Sequence, residues 1–558
     1  MTTAAAVWYR FASGIRAVKL GWLGSSSIII ACLVLAPIAA VVSNIFLPSD
    51  ATWSHLLATV LPEYVWNTVQ LVLLVAIGVI LFGVSTAWLV SAYQFPGQRV
   101  LEWALVLPLA MPAYVMAYAY TDWLQAAGPI QSLFRELTGL KVREYWFPEI
   151  RSLPGAAAML SFALYPYVYL LARAAFLEQS RTTMEAARLA GYGDCGRFLR
   201  VALPLARTGI VAGTALALME ALADFGTVSY FAVNTFTAGI YRAWLSLGDP
   251  VAAGQLATCL LVFVLLMLSL EHRHRGGARF AGKRIPMSPQ PLNGAAAAAA
   301  SIACGVPVTF GFFVPTALLI KLTAGDPEAQ FGARLYGLVL NTFTLAGAAA
   351  IVAVAVALLL AYAGRTVKHP LVHVANRLAV LGYALPGAVI AVGILLPLGK
   401  LDNVLAASMQ EQFGIKTGLL LTGSMVALIY AYVVRFLAVA FQTAEAGLTR
   451  VTLSMDDAAR SLGYSPARTL WRVHVPIISG SLATAALLVF VDVMKELPAT
   501  FAMRPFNFDT LAVETYNLAK DERIAEAAVP SLVMVVIALL PLILLSRQIA
   551  RSRREGPS

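Results

Sequence analysis

Residues 184–204 read MEAARLAGYGDCGRFLRVALP, and residues 455–476 read MDDAARSLGYSPARTLWRVHVP. Each opens on an acid and two alanines, Glu185-Ala186-Ala187 in the first and Asp457-Ala458-Ala459 in the second. Gly191 and Gly463 follow six positions after the acid, and Pro204 and Pro476 close the segments; every one of these pairs lies 272 positions apart. An acid suits the start of a short helix, where the backbone dipole is positive. Glycine suits its end, because it takes a left-handed backbone without steric cost. A second helical stretch, basic and apolar, then runs to the proline. Each segment is predicted as a helix–turn–helix whose small face lets another backbone approach closely, with the acid and the arginines setting orientation. One such segment reads equally well as an amphipathic connector lying on a membrane. Two at identical spacing favour docking on a partner.

The repeat extends beyond these segments. At the same spacing Glu220 falls on Asp492 and Asp224 on Glu496. Upstream, Asn67-Thr68 matches Asn341-Thr342 and Pro112 matches Pro386, each pair 274 positions apart. Both Asn-Thr pairs are expected to open the second helix of their half.

The chain has 558 residues, 59% hydrophobic and 12% charged, with a mean hydropathy of +0.77. Soluble domains carry about 25% charged residues. Apolar runs of about 20 residues recur along the whole length, the signature of membrane helices. Twelve spans are predicted, with cores at 24–46, 66–93, 101–121, 155–176, 208–232, 252–270, 298–321, 336–363, 373–397, 417–442, 477–500 and 527–546. The fold class is therefore an all-α polytopic membrane protein of two six-helix repeats. Residues 1–271 form the first repeat, 272–297 a basic linker rich in Gly and Pro, and 298–558 the second repeat. His272 and His274 read as part of that solvated linker rather than as metal ligands. An even number of spans per repeat inserts both copies in the same orientation, unlike the inverted repeats of many secondary carriers.

Lys and Arg mark the cytoplasmic side. Arg10, Arg16 and Lys19 precede the first span, and further basic residues fall on even-numbered links, including Arg188, Arg200, Arg365, Arg460 and Arg472. Both termini are expected in the cytoplasm. The stretch 122–152 lies opposite and is long enough to pack as an external subdomain. The net charge of +11 thus records topology and not nucleic-acid binding. Cys32, Cys195, Cys259 and Cys304 are scattered without metal-ligand spacing, so neither a disulfide framework nor a zinc site is expected. The N-terminus lacks a cleavable signal pattern, and its first apolar run is expected to be a spanning helix.

With the EAA, glycine and proline in this order, the two segments resemble the EAA loops of type I ABC importer permeases. The resemblance implies that each loop docks on a cytoplasmic ATPase subunit, through Glu185, Ala186, Ala187, Gly191 and Pro204 in one half and Asp457, Ala458, Ala459, Gly463 and Pro476 in the other. Asp457 departs from the pattern, keeping the charge on a shorter side chain. The stretches Asp224-Phe225-Gly226-Thr227, Phe236 to Trp244, Lys495 to Thr500 and Arg504 to Ala512 are similar to motifs of fused iron(III) permeases. This implies iron(III) as cargo, a periplasmic or lipid-anchored binding protein that delivers it, an ATPase homodimer, and residence in the bacterial inner membrane. Related fused permeases imply thiamine, phosphonate or another small solute as alternatives.

Glu220, Asp224, Asp492 and Glu496 fall at membrane depth, where ionisable groups are costly and face a cavity or pair. Each pair is four residues apart and shares a helix face. They are candidates for a substrate path, since trivalent iron favours oxygen ligands. Equally, they read as structural groups, with Lys495 pairing Asp492 and the others capping helices broken near Gly226 and Pro498. No permanent metal site and no catalytic residue is predicted. The chain contains no GxxxxGK[ST], HExxH or GxSxG, so ATP and magnesium are expected on partner subunits and no cofactor on this chain. An ion-coupled secondary carrier is the competing reading, and the paired loops weigh against it.

Overall fold

The computed structural model describes residues 21–47, 51–142, 144–274, 289–325 and 332–554. Arg10, Arg16, Lys19, Arg143 and most of the linker lie outside them. The described chain is almost entirely helical. Eleven helices are long and apolar enough to cross a membrane, or twelve when a pair bent by 92°, Gln98–Ala110 with Ala113–Thr138, counts as one span.

Five expected spans differ from their sequence reading, four of them because a proline, glycine or polar residue interrupts the helical ladder. The third breaks before Pro112, which lies just outside Ala113–Leu124 with an extended backbone, φ −60° and ψ 137°. The ninth breaks likewise at Pro386, between Pro370–Ala379 and Gly387–Phe413. The fifth ends at Ala223 and resumes as the short helix Gly226–Tyr230. The eleventh ends at Met494 and resumes as Pro498–Met503. The tenth is displaced, running Met425–Leu448. Asn67 and Asn341 do not open their helices either. They sit inside Leu61–Ala92 and Ala333–Thr366.

The compact units do not coincide with the sequence halves. One comprises Met1–Pro48, Gly248–Thr258 and Tyr336–Val513; the other comprises Ser49–Leu247, Cys259–Leu335 and Glu514–Ser558. The sequence repeat records chain order, whereas packing follows where small residues open room. In the first unit, the helix Gly21–Ser43 lies against Gly387–Phe413, where a Cβ on Gly393 would strike the Pro37 carbonyl oxygen. Gly382 likewise leaves room for the Val434 carbonyl and for Val34. Tyr430 adds a hydrogen bond from its hydroxyl to the Leu33 carbonyl at 2.5 Å. In the second unit, a Cβ on Gly311 would come within 2.9 Å of the Phe162 carbonyl and of Pro108. Helices in lipid gain by such close backbone approach, having little hydrophobic drive between them. The stretch after the third span packs within this unit through the helix Pro129–Thr138, with Tyr145 donating to Gln131 Oε1 at 2.7 Å.

Gly399 occupies the same helix as Gly393 with no atom within 4 Å of its would-be Cβ. Gly393→Ala is expected to lower stability by about 1–3 kcal/mol through overpacking, whereas Gly399→Ala leaves it unchanged or raises it. Thermal midpoints of the purified variants in detergent check the pair.

Candidate functional site

The segments 184–204 and 455–476 fold alike. Arg181–Leu189 and Leu453–Ser461 are short helices. Gly191 and Gly463 follow at φ +86° and +76°. In the first segment Gly191 N–H donates to the Arg188 carbonyl at 3.0 Å and Tyr192 N–H to the Ala187 carbonyl at 3.1 Å. In the second, Gly463 donates to Arg460 at 2.9 Å and Tyr464 to Ala459 at 3.0 Å. Both glycines thus terminate their helix by the same pair of bonds, which needs a left-handed residue at that position. Each chain then makes one helical turn, Asp194–Arg197 or Pro466–Thr469, and a π-turn, Phe198–Ala202 or Leu470–His474. Pro204 and Pro476 stand in the first turn of the helices that follow, Leu203–Ala223 and Val475–Met494.

Of the predicted docking residues, Glu185, Ala186, Asp457 and Ala458 are exposed, while Ala187 and Ala459 face inward. Asp457 pairs with Arg460 at 2.8 Å on the surface. Leu189 and Leu462, which sequence reasoning passed over, stand 90% and 74% exposed beside the glycines. An apolar tip next to two small residues offers a partner a knob and a close backbone.

The two segments are fastened to their units differently. Met184 is buried in the first. Its neighbour Trp88 packs on Phe176 and Phe198 with ring centroids 5.3 Å away in each case. A cavity of about 480 Å³ opens there between Trp88, Glu185, Arg188 and Gln290. Gln290 belongs to a two-residue strand paired with Tyr93 and Gln94, where the chain returns from the linker. In the second segment the residue before the predicted acid, Asp456, turns inward. Its Oδ2 accepts from Arg365 Nη2 at 2.7 Å and Nε at 3.0 Å. Its Oδ1 lies 2.5 Å from Nε2 of the buried His474. Burial raises the Asp456 pKa, but the hydrogen bonds from Arg365 and His474 outweigh it and hold the carboxyl below its ordinary value.

The broken helices explain two of the four predicted acids. Asp224 Oδ2 accepts from the Thr227 and Val228 N–H groups at 3.0 and 3.1 Å, and Oδ1 from the Thr227 hydroxyl at 3.0 Å. Glu496 does the same at the break after Met494: Oε1 accepts from Ala499 N–H at 2.9 Å and Oε2 from Thr500 N–H at 3.0 Å. Each carboxylate caps the short helix after the break, satisfying donors that would otherwise be orphaned. Glu496 also pairs with Arg435 at 2.9 Å, both buried. A Cβ on Gly387 would come within 2.5 Å of Arg435 Nη1 and 2.6 Å of Glu496 Oε1, so a side chain there would displace the ion pair. Asp492 pairs with Lys495 at 3.1 Å, as the sequence spacing allows. Glu220 is half-buried one turn before Asp224. Among the described residues no three His, Cys, Asp or Glu side chains converge to hold a metal.

The Asn-Thr pairs tie the polypeptide beyond each break to the second span of its half. Asn67 Nδ2 donates to the Asn234 carbonyl at 3.0 Å, and Asn341 Nδ2 to the Asp509 carbonyl at 3.1 Å. The Thr68 hydroxyl oxygen accepts from Phe236 N–H at 3.4 Å, and that of Thr342 from Leu511 N–H at 2.9 Å.

Capped helix breaks inside a duplicated helical membrane chain, each following an exposed helix–turn–helix, define a permease subunit. The family of binding-protein-dependent transport system inner membrane components matches twice, over residues 79–272 and 361–552, and this chain belongs to it. Over 497 residues it is 26% identical to the Fe(3+)-transport system permease protein FbpB 2 of Haemophilus influenzae, covering 87% of this chain and 90% of that protein. The sulfate transport system permease protein CysT of Salmonella typhimurium is 26% identical over 255 residues, 44% of this chain and 88% of CysT. The molybdenum transport system permease protein ModB of Escherichia coli is 31% identical over 222 residues, 38% of this chain and 93% of ModB. The chain is a fused two-domain ABC importer permease, a transport subunit of the inner membrane and not an enzyme.

Arg435→Met leaves Glu496 buried without its cation and is expected to cost about 3–5 kcal/mol. Adding Glu496→Gln, which removes the unpaired charge and keeps an oxygen for one of the Ala499 and Thr500 amides, should recover part of that loss, read from thermal midpoints. A second test uses Asp456. Its folded-state pKa lies below the unfolded one, so the ionised carboxylate stabilises the segment at neutral pH. That contribution fades as pH falls through the ordinary carboxylate range and below. Hydrogen exchange at 453–461, corrected for intrinsic rates, should therefore accelerate on acidification in the wild type. In Asp456→Asn it should already be fast at neutral pH.

Proposed function

We propose that this permease imports iron(III) released to it by a separate binding protein, and that ATPase subunits, two copies of one polypeptide, dock on residues 184–204 and 455–476. The observation that carries the cargo is coverage. The iron(III) permease relative aligns with both halves, 87% of the chain, whereas the sulfate and molybdenum permeases align with 44% and 38%. Oxyanion transport is the second reading, favoured by the 31% identity to the molybdenum permease. The docking role is supported by the matched glycine-ended helices, their exposed Ala186 and Ala458 faces and their Leu189 and Leu462 tips. Their arginines support a cytoplasmic position for both segments and, with it, for both termini. ATP and magnesium then belong to the partners, and this chain holds no cofactor.

For the passage itself the four acids are not equivalent. Asp492 and Glu496 each stand beside a cation. Asp224 bonds to neutral groups, the backbone of Thr227 and Val228 and the Thr227 hydroxyl. We assign to Asp224, one helical turn from Glu220, the electrostatic attraction of a passing cation. Weak, incomplete coordination favours transit, since tight chelation would slow release.

Asp224→Asn keeps the side-chain oxygen that caps the short helix and removes the charge. Iron uptake by cells relying on this system is expected to fall about tenfold, roughly 1.4 kcal/mol on the limiting step, at unchanged protein level. Uptake of labelled iron, sulfate and molybdate by the wild type decides the cargo. Sulfate or molybdate accumulation without iron accumulation would reject the iron reading.

A further inference from the structure

Two pairs of aligned residues show how differently the halves hold their docking segments. At the end of Ala333–Thr366 stand Tyr362 and Arg365; 274 positions earlier, at the end of Leu61–Ala92, stand Trp88 and Ser91. Arg365 binds three parts of the second segment's surroundings. Beyond its two bonds to Asp456, Nη1 donates to the Leu448 carbonyl at 2.9 Å and Nη2 to the Val451 carbonyl at 2.8 Å. Tyr362 donates its hydroxyl to the Pro466 carbonyl at 2.9 Å, on the other arm of the helix–turn–helix. Its ring meets His474 edge-on, centroids 5.3 Å apart. Tyr362 and Arg365 together therefore grip both arms and the chain leading into them.

The first segment is fastened by other residues, among them Gln179, whose Nε2 donates to the Ala202 carbonyl at 2.8 Å. Met184 stands where Asp456 does and Ala202 where His474 does. The Ser91 hydroxyl is buried without a hydrogen-bond partner among the described residues. Trp88 packs its ring on Phe198, beside a cavity.

The other end of Ala333–Thr366 carries Asn341 and Thr342, which hold the chain beyond the helix break through Asp509 and Leu511. From residue 341 to residue 365 the helix spans about 36 Å at about 1.5 Å per residue. One rigid element thus joins the second docking segment to the segment that follows the capped break. Leu61–Ala92 has the same tie through Asn67 and Thr68 at one end, and at the other Trp88 packs its ring on Phe198 of the first segment.

We propose that Arg365 is a positioning residue that transmits movement of the second docking segment along Ala333–Thr366 to the pathway, and that the two halves are coupled to ATP hydrolysis unequally. This rests on the ATP-driven reading above. The polar clamp resists tilting of the segment relative to the helix, because a charged, multiply bonded contact is directional. Apolar packing on Trp88 permits sliding.

The test uses the whole transporter, purified with its ATPase subunits and reconstituted into vesicles with binding protein. Arg365→Met, Arg365→Lys, Asp456→Asn and the first-half control Ser91→Ala are compared for ATPase co-purification, ATP hydrolysis and substrate uptake. Arg365→Met and Asp456→Asn should keep the ATPase bound and hydrolysing while uptake per ATP falls about tenfold. Arg365→Lys, lacking the planar fork, should fall between Arg365→Met and wild type, and Ser91→Ala should match wild type. Unchanged uptake per ATP in both clamp variants overturns the proposal. So does parallel loss of ATPase and uptake, which makes Arg365 a docking support only. Should Arg365→Met fail to accumulate, the near-isosteric Asp456→Asn decides alone. Wild-type protein that retains no ATPase, or imports without ATP, defeats the ATP-driven reading instead. Faster hydrogen exchange at 453–461 but not at 181–189 in the Asp456→Asn permease alone still reports the clamp in that case.

Discussion

Inside a bilayer no water is available to a backbone amide or carbonyl, so a helix that stops there must satisfy its own ends. Spans stop at Ala223 and at Met494. The next helices begin three and four residues later, with their first amides lacking a partner within the helix. Asp224 and Glu496 meet that demand by turning their own carboxylates back onto the amides that follow. Everything placed by the breaks depends on those caps, including the Phe236 and Leu511 segments held by Thr68 and Thr342. A carboxylate used as a cap is also an uncompensated charge in a poor dielectric. The second half neutralises it with Arg435. The first half carries Ala163 at the position aligned with Arg435 and leaves Asp224 to neutral donors. The same structural requirement thus leaves a charge available in one half only.

Close backbone contact is the second constraint, and it determines which helices share a unit. Gly393 and Gly382 open a path along Gly387–Phe413 and its approach that Pro37 and Val34 fill, so the first helix of the chain packs with elements from the second half. Gly311 finds its room against Phe162 and Pro108. Dispersion at such contacts falls steeply with distance, and a β-carbon at any of these glycines would separate the helices.

Fold class, duplication and the two helix–turn–helix segments were legible because they rest on strong local signals. Long apolar runs have few soluble explanations, and a glycine six positions after an acid has one economical conformation. The helix breaks were legible in part: Gly226 and Pro498 marked two of them, but a twenty-residue apolar window passed over those before Pro112 and Pro386. The clamp was missed because its members are far apart in sequence. Asp456 is adjacent to the motif acid Asp457 and differs from it only in facing inward, which no spacing rule reveals. Arg435 did carry a signal, a cation within an apolar run, and its partner was already among the candidate acids. Hydropathy averaged over the window concealed it. The exposed Leu189 and Leu462 were likewise indistinguishable from core leucines until the left-handed glycines set the direction of the helix ends.

Fusing both repeats in one polypeptide allows the halves to differ at aligned positions, which two copies of a single-repeat chain cannot do. Here the differences are concerted. The half whose docking segment is held by Arg365, Asp456 and His474 is also the half whose capping acid is neutralised by Arg435. The half with apolar fastening at Trp88 keeps the acid without a neutralising cation at Asp224. Directional polar contacts hold one geometry and resist others, whereas apolar surfaces of similar shape tolerate repacking. One half fastened by directional polar contacts and one fastened by apolar packing, with its capping acid bonded to neutral groups, is the difference these four aligned positions record. It requires no difference in backbone fold between the repeats.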